Sequence, residues 1–520
     1  MAICRLHNRI GCTLYAWGKD PDGLCLLHSR QENKDQDGQF TDVVKKQLAE
    51  EDYNFQFVFF PGPANFFGKK FTKEARFDGA IFSGEAKFST ASFSIGANFS
   101  GVNFFKRADF FEAIFSGEAN FIAATFSAEA DFNSVAFSAN ANFSHATFSA
   151  VAAFSWVTFT KEAAFSEATF KELGAFSEAS FLELADFSKA TISGRMVFIS
   201  INPSTKPFRG DFIGLELSKE AILRFQDLSL AQVRFYGTDL WRPEFHHVAW
   251  HRLRGGRQAL YDEVLLRQRE ASFAKRFLSF SRQVSAPESP TPNDYGEVER
   301  LYRNLQVNYE SVNDYKSSGD FHYGEMEKHR LASRWRWFPL YWYNLYWLSS
   351  GYGERPLRSV LTLWGLLLAF SGFFLGWEGE LLGGWTWVGF WQALLYVFQQ
   401  GTLQKPDWLK PATTGGKFLS AMMPVLIPGQ TALFLLALRN RLGRRKCDAY
   451  GLPPFGYLGC SGRIDSLYCD LPLDKVSYAR LMPPGIIVMD GGDGPPDKVR
   501  RALPTPAGPA QPPGPSAVIL

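Results

Sequence analysis

The chain has 520 residues, enough for several domains, and its unusual feature of composition is 50 phenylalanines. Its formal net charge of +3 is close to balance, so charge gives no support to a nucleic acid or an acidic ligand as a partner. The six cysteines lie only near the two ends of the chain and suggest no disulfide framework, and no apolar signal-peptide core opens the sequence. We therefore predict that the N-terminal part lies in the reducing cytoplasm.

Residues 1–65 are predicted to be an N-terminal cap with a candidate zinc-binding segment. The candidate ligands are Cys4, Cys12, Cys25 and His28. Three thiolates and one imidazole complete a tetrahedral zinc site, and the short spacing of the last two ligands suits a turn. Two alternatives stay open, because His7 competes as a ligand and the thiols could simply be scattered and reduced. A structural zinc ion is the one cofactor that the sequence suggests.

A long repeat follows, in which a large apolar residue returns at alternating intervals of five and six between Phe77 and Phe198. There are 23 such centres, and 18 of them have Ala two residues earlier. These steps would put successive Phe on opposite sides of a helix and on both faces of a long strand. A right-handed coiled coil also repeats every eleven residues, but it needs its apolar residues in one seam. The period therefore predicts a solenoid whose units each turn a corner and point Phe and Ala inwards.

The stretches ANFSHATFSAVAAFSWVTF and FSGEANFIAATFSAEADF resemble the Phe-rich branch of the pentapeptide-repeat proteins. The resemblance covers residues 66–250 and implies a right-handed quadrilateral β-helix with four units per coil, so the N-terminal half is expected to be mainly β. This chain adds one residue to every second unit, and we expect a bulged corner there. A period of five returns from Phe225 to Trp250, which brings the prediction to about eight coils.

The charge on the outer surface of the solenoid indicates which class of partner it can bind. Some pentapeptide-repeat proteins imitate duplex DNA and bind topoisomerases, which requires dense acidic rows. From Lys69 to Ser200 this chain has 14 Asp or Glu and 11 Lys or Arg. That mixture argues against DNA mimicry, so we expect no nucleic-acid function and predict that the flat solenoid faces bind a protein.

Residues 251–332 are predicted to be a helical linker and hairpin, interrupted by the turn-forming stretch SAPESPTPND. The apolar face of the hairpin is assigned to Leu301, Leu305, Val312 and Tyr315. His322, Glu325, Glu327 and His329 follow, and a solvated, salt-bridged helix explains them more simply than acid–base chemistry or metal binding. No phosphate loop, Ser/His/Asp order or recognisable carboxylate pair appears in the sequence, so no catalytic residue and no enzymatic activity are predicted.

Residues 333–446 are predicted to be a membrane region, with lipid as a partner. Its first segment, up to Ser359, combines Trp, Tyr and Arg as residues at a bilayer interface do. The runs 359–377 and 418–438 are long and apolar enough to span a bilayer. Basic residues flank their outer ends, which places the solenoid and the tail in the cytoplasm.

Between these runs, residues 385–400 suit a re-entrant helix, and the arrangement is similar to the pore unit of two-span potassium channels. Lys405 and Pro406 replace the expected filter sequence, and the candidate pore-facing residues are Gln399, Gln400 and Thr402. Channel-like hairpins usually assemble, so a homo-oligomer is expected. The Pro-rich tail 447–520 is predicted to be disordered. A membrane-anchored scaffold is the first functional hypothesis, and an ion-channel-like pore with the solenoid as sensor is the alternative.

Overall fold

The computed structural model describes residues 3–6, 12–201, 208–279, 291–378, 385–402 and 409–442, together with 404 and 406. The tail predicted to be disordered lies outside the described residues, as does His7. A β-solenoid fills the N-terminal half, and several helices follow it, two of them long and apolar. The predicted mixed architecture is therefore confirmed.

The solenoid has four sides, and each side is a parallel sheet of short strands. Side 1 consists of Phe59–Phe60, Ile81–Phe82, Asn103–Phe104, Thr125–Phe126, Thr147–Phe148, Thr169–Phe170, Thr191–Ile192 and Glu216–Leu217. Side 2 consists of Ala64–Asn65, Ala86–Lys87, Ala108–Asp109, Ala130–Asp131, Ala152–Ala153, Leu173–Ser177, Arg195–Ile199, Ile222–Gln226 and Glu244–His246. Side 3 consists of Lys70–Phe71, Ser92–Phe93, Ile114–Phe115, Ala136–Phe137, Thr158–Phe159 and Ser180–Phe181. Side 4 consists of Ala75–Arg76, Ala97–Asn98, Ala119–Asn120, Ala141–Asn142, Ala163–Ala164, Leu184–Asp186, Arg209–Asp211 and Gln232–Arg234. A two-stranded antiparallel pair, His251–Arg252 with Gln258–Ala259, closes the β region.

Eight α-helices are described. They are α1 (Gln39–Ala49), α2 (Tyr261–Ser279), α3 (Pro292–Ser311), α4 (Tyr315–Ala332), α5 (Trp342–Ser350), α6 (Pro356–Glu378), α7 (Trp387–Gly401) and α8 (Thr414–Leu442). Short 3₁₀ helices lie at Glu32–Asp35 and Arg334–Trp337.

The interior of the solenoid is a set of stacked phenylalanine columns. In the regular coils each strand pairs with the strand 22 residues later, as Phe104 pairs with Phe126. The rings of Phe77 and Phe99 are stacked with nearly parallel planes and centroids 4.9 Å apart, while Phe99 meets Phe110 edge-on at 5.5 Å. Both arrangements are favourable for aromatic rings, and all three of these rings are fully buried. The inward direction predicted for the Phe residues is therefore observed.

Two kinds of corner alternate around each coil. Two residues separate Phe77 from Ala80 in the tight corner, where the Ala80 amide donates to the Phe77 carbonyl at 2.9 Å and Gly79 has a φ of 65°. Three residues separate Phe82 from Ala86 in the wide corner. The extra residue of every second unit therefore lies in the wide corners.

Several wide corners require glycine because the backbone of the neighbouring coil approaches closely, and the approach is tightest at Gly117. A Cβ added at Gly117 would lie 1.0 Å from the carbonyl oxygen of Ile95, whereas one added at Gly96 would have 3.5 Å of space. We expect Gly117→Ala to lower the free energy of unfolding by about 2–4 kcal/mol and Gly96→Ala to change it little. Thermal unfolding followed by circular dichroism measures both, and equal melting temperatures would contradict the close approach.

Each end of the solenoid is covered by other parts of the chain. At the N-terminal end Phe40 of α1 contacts Phe60 edge-on at 5.6 Å, and the Phe59 amide donates to the Leu27 carbonyl at 3.3 Å. At the other end the Trp250 indole donates to the Tyr309 hydroxyl at 2.7 Å. Both ends of the aromatic column are thus shielded from water, and the core continues into the helical hairpin of α3 and α4.

The hairpin buries a face somewhat different from the predicted one. Leu301 and Leu305 are fully buried, as expected, together with Tyr302. The assignment of Val312 to this face was wrong, since its side chain is 61% exposed. The helix ends at Ser311, so Val312 belongs to the turn between α3 and α4 and no longer follows the helical period.

Helices α6, α7 and α8 pack against one another around a second apolar core. That core includes Phe374, Tyr396 and Met423, one from each helix. Gln430 of α8 ties the helices to the preceding segment, because its amide donates to the Ser349 carbonyl at 2.9 Å and to the Thr362 hydroxyl at 2.6 Å. The three helices therefore form one packed unit, with both apolar and polar contacts.

Candidate functional site

The four predicted metal ligands lie together in the N-terminal cap. Their ligand atoms all lie within 4.8 Å of one another. The Cys12 and Cys25 sulfurs are 3.8 Å apart, and His28 Nδ1 lies 3.7 Å from the Cys4 sulfur and 3.0 Å from the Cys25 sulfur. Ligands on a tetrahedral zinc ion would place two sulfurs about 3.8 Å apart and a sulfur and a nitrogen about 3.5 Å apart. The cluster could therefore bind a metal ion with only small movements.

Two local structures bring these ligands together. Ile3 bridges to Tyr15 in antiparallel fashion, and the Cys4 amide donates to the Leu14 carbonyl at 2.9 Å. The Cys25 carbonyl accepts from the amide of His28 at 3.1 Å, which makes the tight turn expected from their spacing. The turn presents the Cys25 thiol and the His28 ring on the same side of the chain.

The histidine is oriented by the first part of the solenoid. His28 Nε2 lies 3.0 Å from the carbonyl oxygen of Gln56, so a proton on Nε2 would leave Nδ1 free to face the three sulfurs. Metal-binding histidines usually donate their second ring nitrogen in this way. The cluster is thereby joined to the wall of the solenoid.

The surroundings of the cluster are buried and contain a lysine. Burial raises the pKa of the Cys25 thiol to about 12, and burial lowers the pKa of His28. Burial also lowers the pKa of nearby Lys34 to about 7, and its buried amino group donates to the carbonyls of Leu27 and Ser29 at 2.7 and 2.9 Å. A divalent ion with three thiolates carries one net negative charge, which the protonated form of Lys34 would balance.

Glu325 and His329 of α4 contact charged residues of α3 across the hairpin. Glu325 accepts from the Arg303 guanidinium at 2.8 Å, and His329 Nδ1 lies 3.2 Å from Glu299. The pKa of Glu325 is lowered, because His322 and Arg303 outweigh the effect of burial. The salt-bridged helix that the sequence suggested is present, with partners both on α3 and along α4, where Glu327 pairs with Arg330 at 2.8 Å.

A buried charge cluster that the sequence analysis missed joins the hairpin to the solenoid. Glu263 is fully buried and accepts from Arg257 at 2.5 Å, from Arg267 at 2.7 Å and from Lys328 at 3.3 Å. Tyr302 donates to the same carboxylate. Burial alone would raise the pKa of Glu263, but the three cations lower it overall.

Two helices are long and apolar enough to cross a membrane, Pro356–Glu378 and Thr414–Asn440. Only 28% and 22% of their most apolar stretches are buried within the protein, whereas the core helix of a soluble protein would be mostly buried. They contain the predicted runs 359–377 and 418–438, and Pro424 and Pro428 lie inside α8.

The shorter helix α7 lies between them in sequence and corresponds to the predicted re-entrant segment. Its Tyr396 ring stacks on Phe374 at 4.5 Å, and its hydroxyl is 2.9 Å from that of Ser420. Among the residues proposed to face a pore, Gln400 donates to the Tyr396 hydroxyl at 3.3 Å, while Thr402 is exposed at the end of the helix. Gln399 is half-buried.

Comparison of the chain with protein-family models, with curated proteins and with solved structures finds no match. The fold itself is consistent with pentapeptide repeats, since it is a parallel solenoid of about eight coils with a large apolar residue roughly every five positions. Function is therefore inferred from the chemistry of the described residues.

Proposed function

We propose that this protein is a membrane-anchored pentapeptide-repeat scaffold whose solenoid binds a protein partner in the cytoplasm. The observation that carries the proposal is the coexistence of a rigid, closed solenoid with two apolar helices whose surfaces are mostly uncovered. Exposed apolar helices of this length are stable in lipid and costly in water. The hairpin between the two parts gives the solenoid a fixed attachment.

One corner of the solenoid provides a binding surface of suitable chemistry. We define the aromatic corner as Phe67, Phe111, Ile114 and Trp156, which lie on the corner between sides 2 and 3 and on adjoining side 3. Trp156 is 56% exposed and Phe67 is 65% exposed. Large aromatic residues that are exposed on a rigid surface are typical of the centres of protein interfaces.

The scaffold hypothesis is tested with the full-length protein and a photo-crosslinking amino acid at position 156. We expect one defined partner to be crosslinked in cells and to be lost in the Phe111→Ser variant. The control is Leu182→Ser, which removes another exposed apolar residue from a different corner. Crosslinking that is absent, or that both variants reduce equally, would contradict this binding surface.

The cysteine and histidine cluster is proposed to hold a structural zinc ion that fixes the cap to the first coil. Purified protein should contain about one zinc per chain, and Cys12→Ser should reduce that content strongly. Cys469→Ser in the tail is the matched control and should leave it unchanged. Elemental analysis measures all three proteins, and a zinc-free wild type that also fails to take up added zinc would refute the site.

Zinc binding should depend on pH, and removal of the zinc should also destabilise the cap. Because the thiols must lose protons to bind the ion, uptake of zinc by the metal-free protein should release protons and should weaken as the pH falls. Proton release is measured with a pH indicator in weakly buffered solution. Binding that does not change between pH 8 and about pH 5 would contradict thiolate ligation.

A pore is the second candidate function, and one observation favours it. Trp387, Trp391, Leu395 and Phe398 form an exposed stripe on α7, opposite the face that packs on α6 and α8. In a channel assembled from several chains, neighbouring copies would cover such a stripe. Planar bilayer recordings distinguish the two functions: discrete currents that vanish when residues 385–402 are altered would favour the channel over the scaffold.

A further inference from the structure

A polar cavity of about 380 Å³ lies where the solenoid, the hairpin and the apolar helices meet. The loop Gly255–Gly256 forms one wall, and the beginning of α4 with Lys316 and Asp320 forms another. Arg355, directly before α6, and Asn440, near the end of α8, complete it. The volume is within the range of about 300–1,000 Å³ that is usual for small-ligand sites.

Two cations in the wall are available to a ligand. In the part of the chain that the structure describes, neither Arg355 nor Lys316 has a carboxylate within 4.0 Å. The Arg355 guanidinium instead lies over the ring of Tyr323, at 5.1 Å from its centroid. Arg257 also lines the cavity, but its charge is already paired with Glu263.

Carboxylates in the same wall give the cavity a mixed charge. Asp314 accepts from the amide and the hydroxyl of Ser317 at 3.2 and 2.7 Å, and Asp320 accepts from the Gln258 amide at 3.0 Å. Glu354 adds a third carboxylate. Each carboxylate can accept further hydrogen bonds, because its two oxygens offer about four sites. A ligand with a single sign of charge would therefore meet both attraction and repulsion here.

The cavity also lies beside one end of each candidate span, so its position relative to both spans is fixed. Arg355 directly precedes the start of α6 at Pro356, and Asn440 lies two residues before the end of α8. The Asn440 amide donates to the Gly353 carbonyl at 3.1 Å and so joins these two helix ends. The neighbouring helix α5 exposes Trp342 and Leu348, side chains suited to a bilayer interface. If α6 and α8 span a membrane, the cavity opens at the level of the lipid headgroups.

We propose that this cavity binds the headgroup of a phospholipid that carries both a phosphate and a primary amine, as phosphatidylethanolamine does. The phosphate would accept from Arg355 and Lys316, and the ammonium group would donate to Asp314 and Glu354. This inference rests on the proposed membrane anchoring. A lipid bound here would contact the hairpin and both spans, and would therefore fix the solenoid relative to the membrane surface.

The test uses the full-length protein in detergent with short-chain lipids that dissolve as monomers, so binding is measured independently of membrane insertion. Dioctanoyl phosphatidylethanolamine is expected to raise the melting temperature saturably. The phosphatidylcholine and phosphatidylglycerol analogues, which lack a primary ammonium group, should bind about tenfold more weakly. Inorganic phosphate is tested in parallel, to distinguish binding of a lipid headgroup from binding of free phosphate.

The variants Arg355→Gln and Lys316→Gln should each weaken phosphatidylethanolamine binding about tenfold. Lys219→Gln removes an exposed lysine from the solenoid and should have no effect. Lys316 is also exposed, so its replacement tests the site even if Arg355→Gln fails to fold. Equal binding of the phosphatidylglycerol analogue, saturation by inorganic phosphate alone, no shift with any lipid, or unchanged binding by Lys316→Gln would each overturn the proposal. Failure of the full chain to enter membranes would instead refute the anchor, while these binding measurements could still be made.

Discussion

Replacing Phe148 with Asp is expected to unfold the middle of the solenoid. The ring is 1% exposed and stacks at 4.9 Å on both Phe126 and Phe170. Loss of a buried Phe side chain costs about 3–5 kcal/mol, and a carboxylate without a partner in this column costs more. We expect the cooperative thermal transition of the solenoid to be lost or to shift down by well over 10 °C.

The matched control is Thr147→Asp, one residue earlier on the same strand. Thr147 is half-buried and its side chain points away from the Phe column, so its replacement should cost under about 1 kcal/mol. Circular dichroism at increasing temperature compares the two variants with the wild type. If Phe148→Asp melts like Thr147→Asp, the inward column of phenylalanines is wrong.

Glu263→Gln is expected to have the second-largest effect, because it removes a carboxylate that Arg257, Arg267 and Lys328 share. Arg257 and Lys328 are almost completely buried and would be left without this anion. Breaking a buried ion pair from one side costs about 3–5 kcal/mol. The control is Glu50→Gln, which breaks an exposed pair with Lys46 and should cost under about 1 kcal/mol.

The pH dependence of unfolding distinguishes this effect from simple loss of packing. The pKa of Glu263 is lowered in the folded protein from its ordinary value of 4.5, so its stabilising effect is present above pH 4.5 and is lost as the pH falls below it. The wild type should therefore lose more stability than Glu263→Gln on acidification below pH 4.5. Parallel pH profiles would show that the ionised carboxylate does not hold the hairpin.

The sequence predicted the solenoid because its determinant is strictly periodic. Each Phe stacks on the Phe of the next coil, so Phe recurs in the sequence at a fixed period. A small residue recurs two positions before it. Asn98, Asn120 and Asn142 also recur in the repeat, but they did not enter the prediction. Their side chains accept from backbone amides two residues later, at 3.1, 3.0 and 2.9 Å, and so stabilise the tight corners. Their recurrence before every fourth Phe was a signal that could have been used.

Contacts between segments that are far apart in the sequence could not be predicted from it. The spacing of Cys25 and His28 indicated a turn, but the contact of His28 with Gln56 depends on how the cap meets the first coil. Glu263 and Lys328 are 65 positions apart, and nothing local marks either as a partner of the other. The error at Val312 has a local cause, because helix α3 ends at Ser311 whereas the apolar pattern in the sequence continues to Val312.

We propose that α6 and α8 attach the solenoid of Phe-lined coils to a membrane. The most direct test is alkaline carbonate extraction of cells that express either the full chain or a chain ending at Ala332, the last residue of α4. We predict that the full chain stays in the membrane pellet and that the shortened chain is released into the supernatant. Release of the full chain, or retention of the shortened one, would contradict the account.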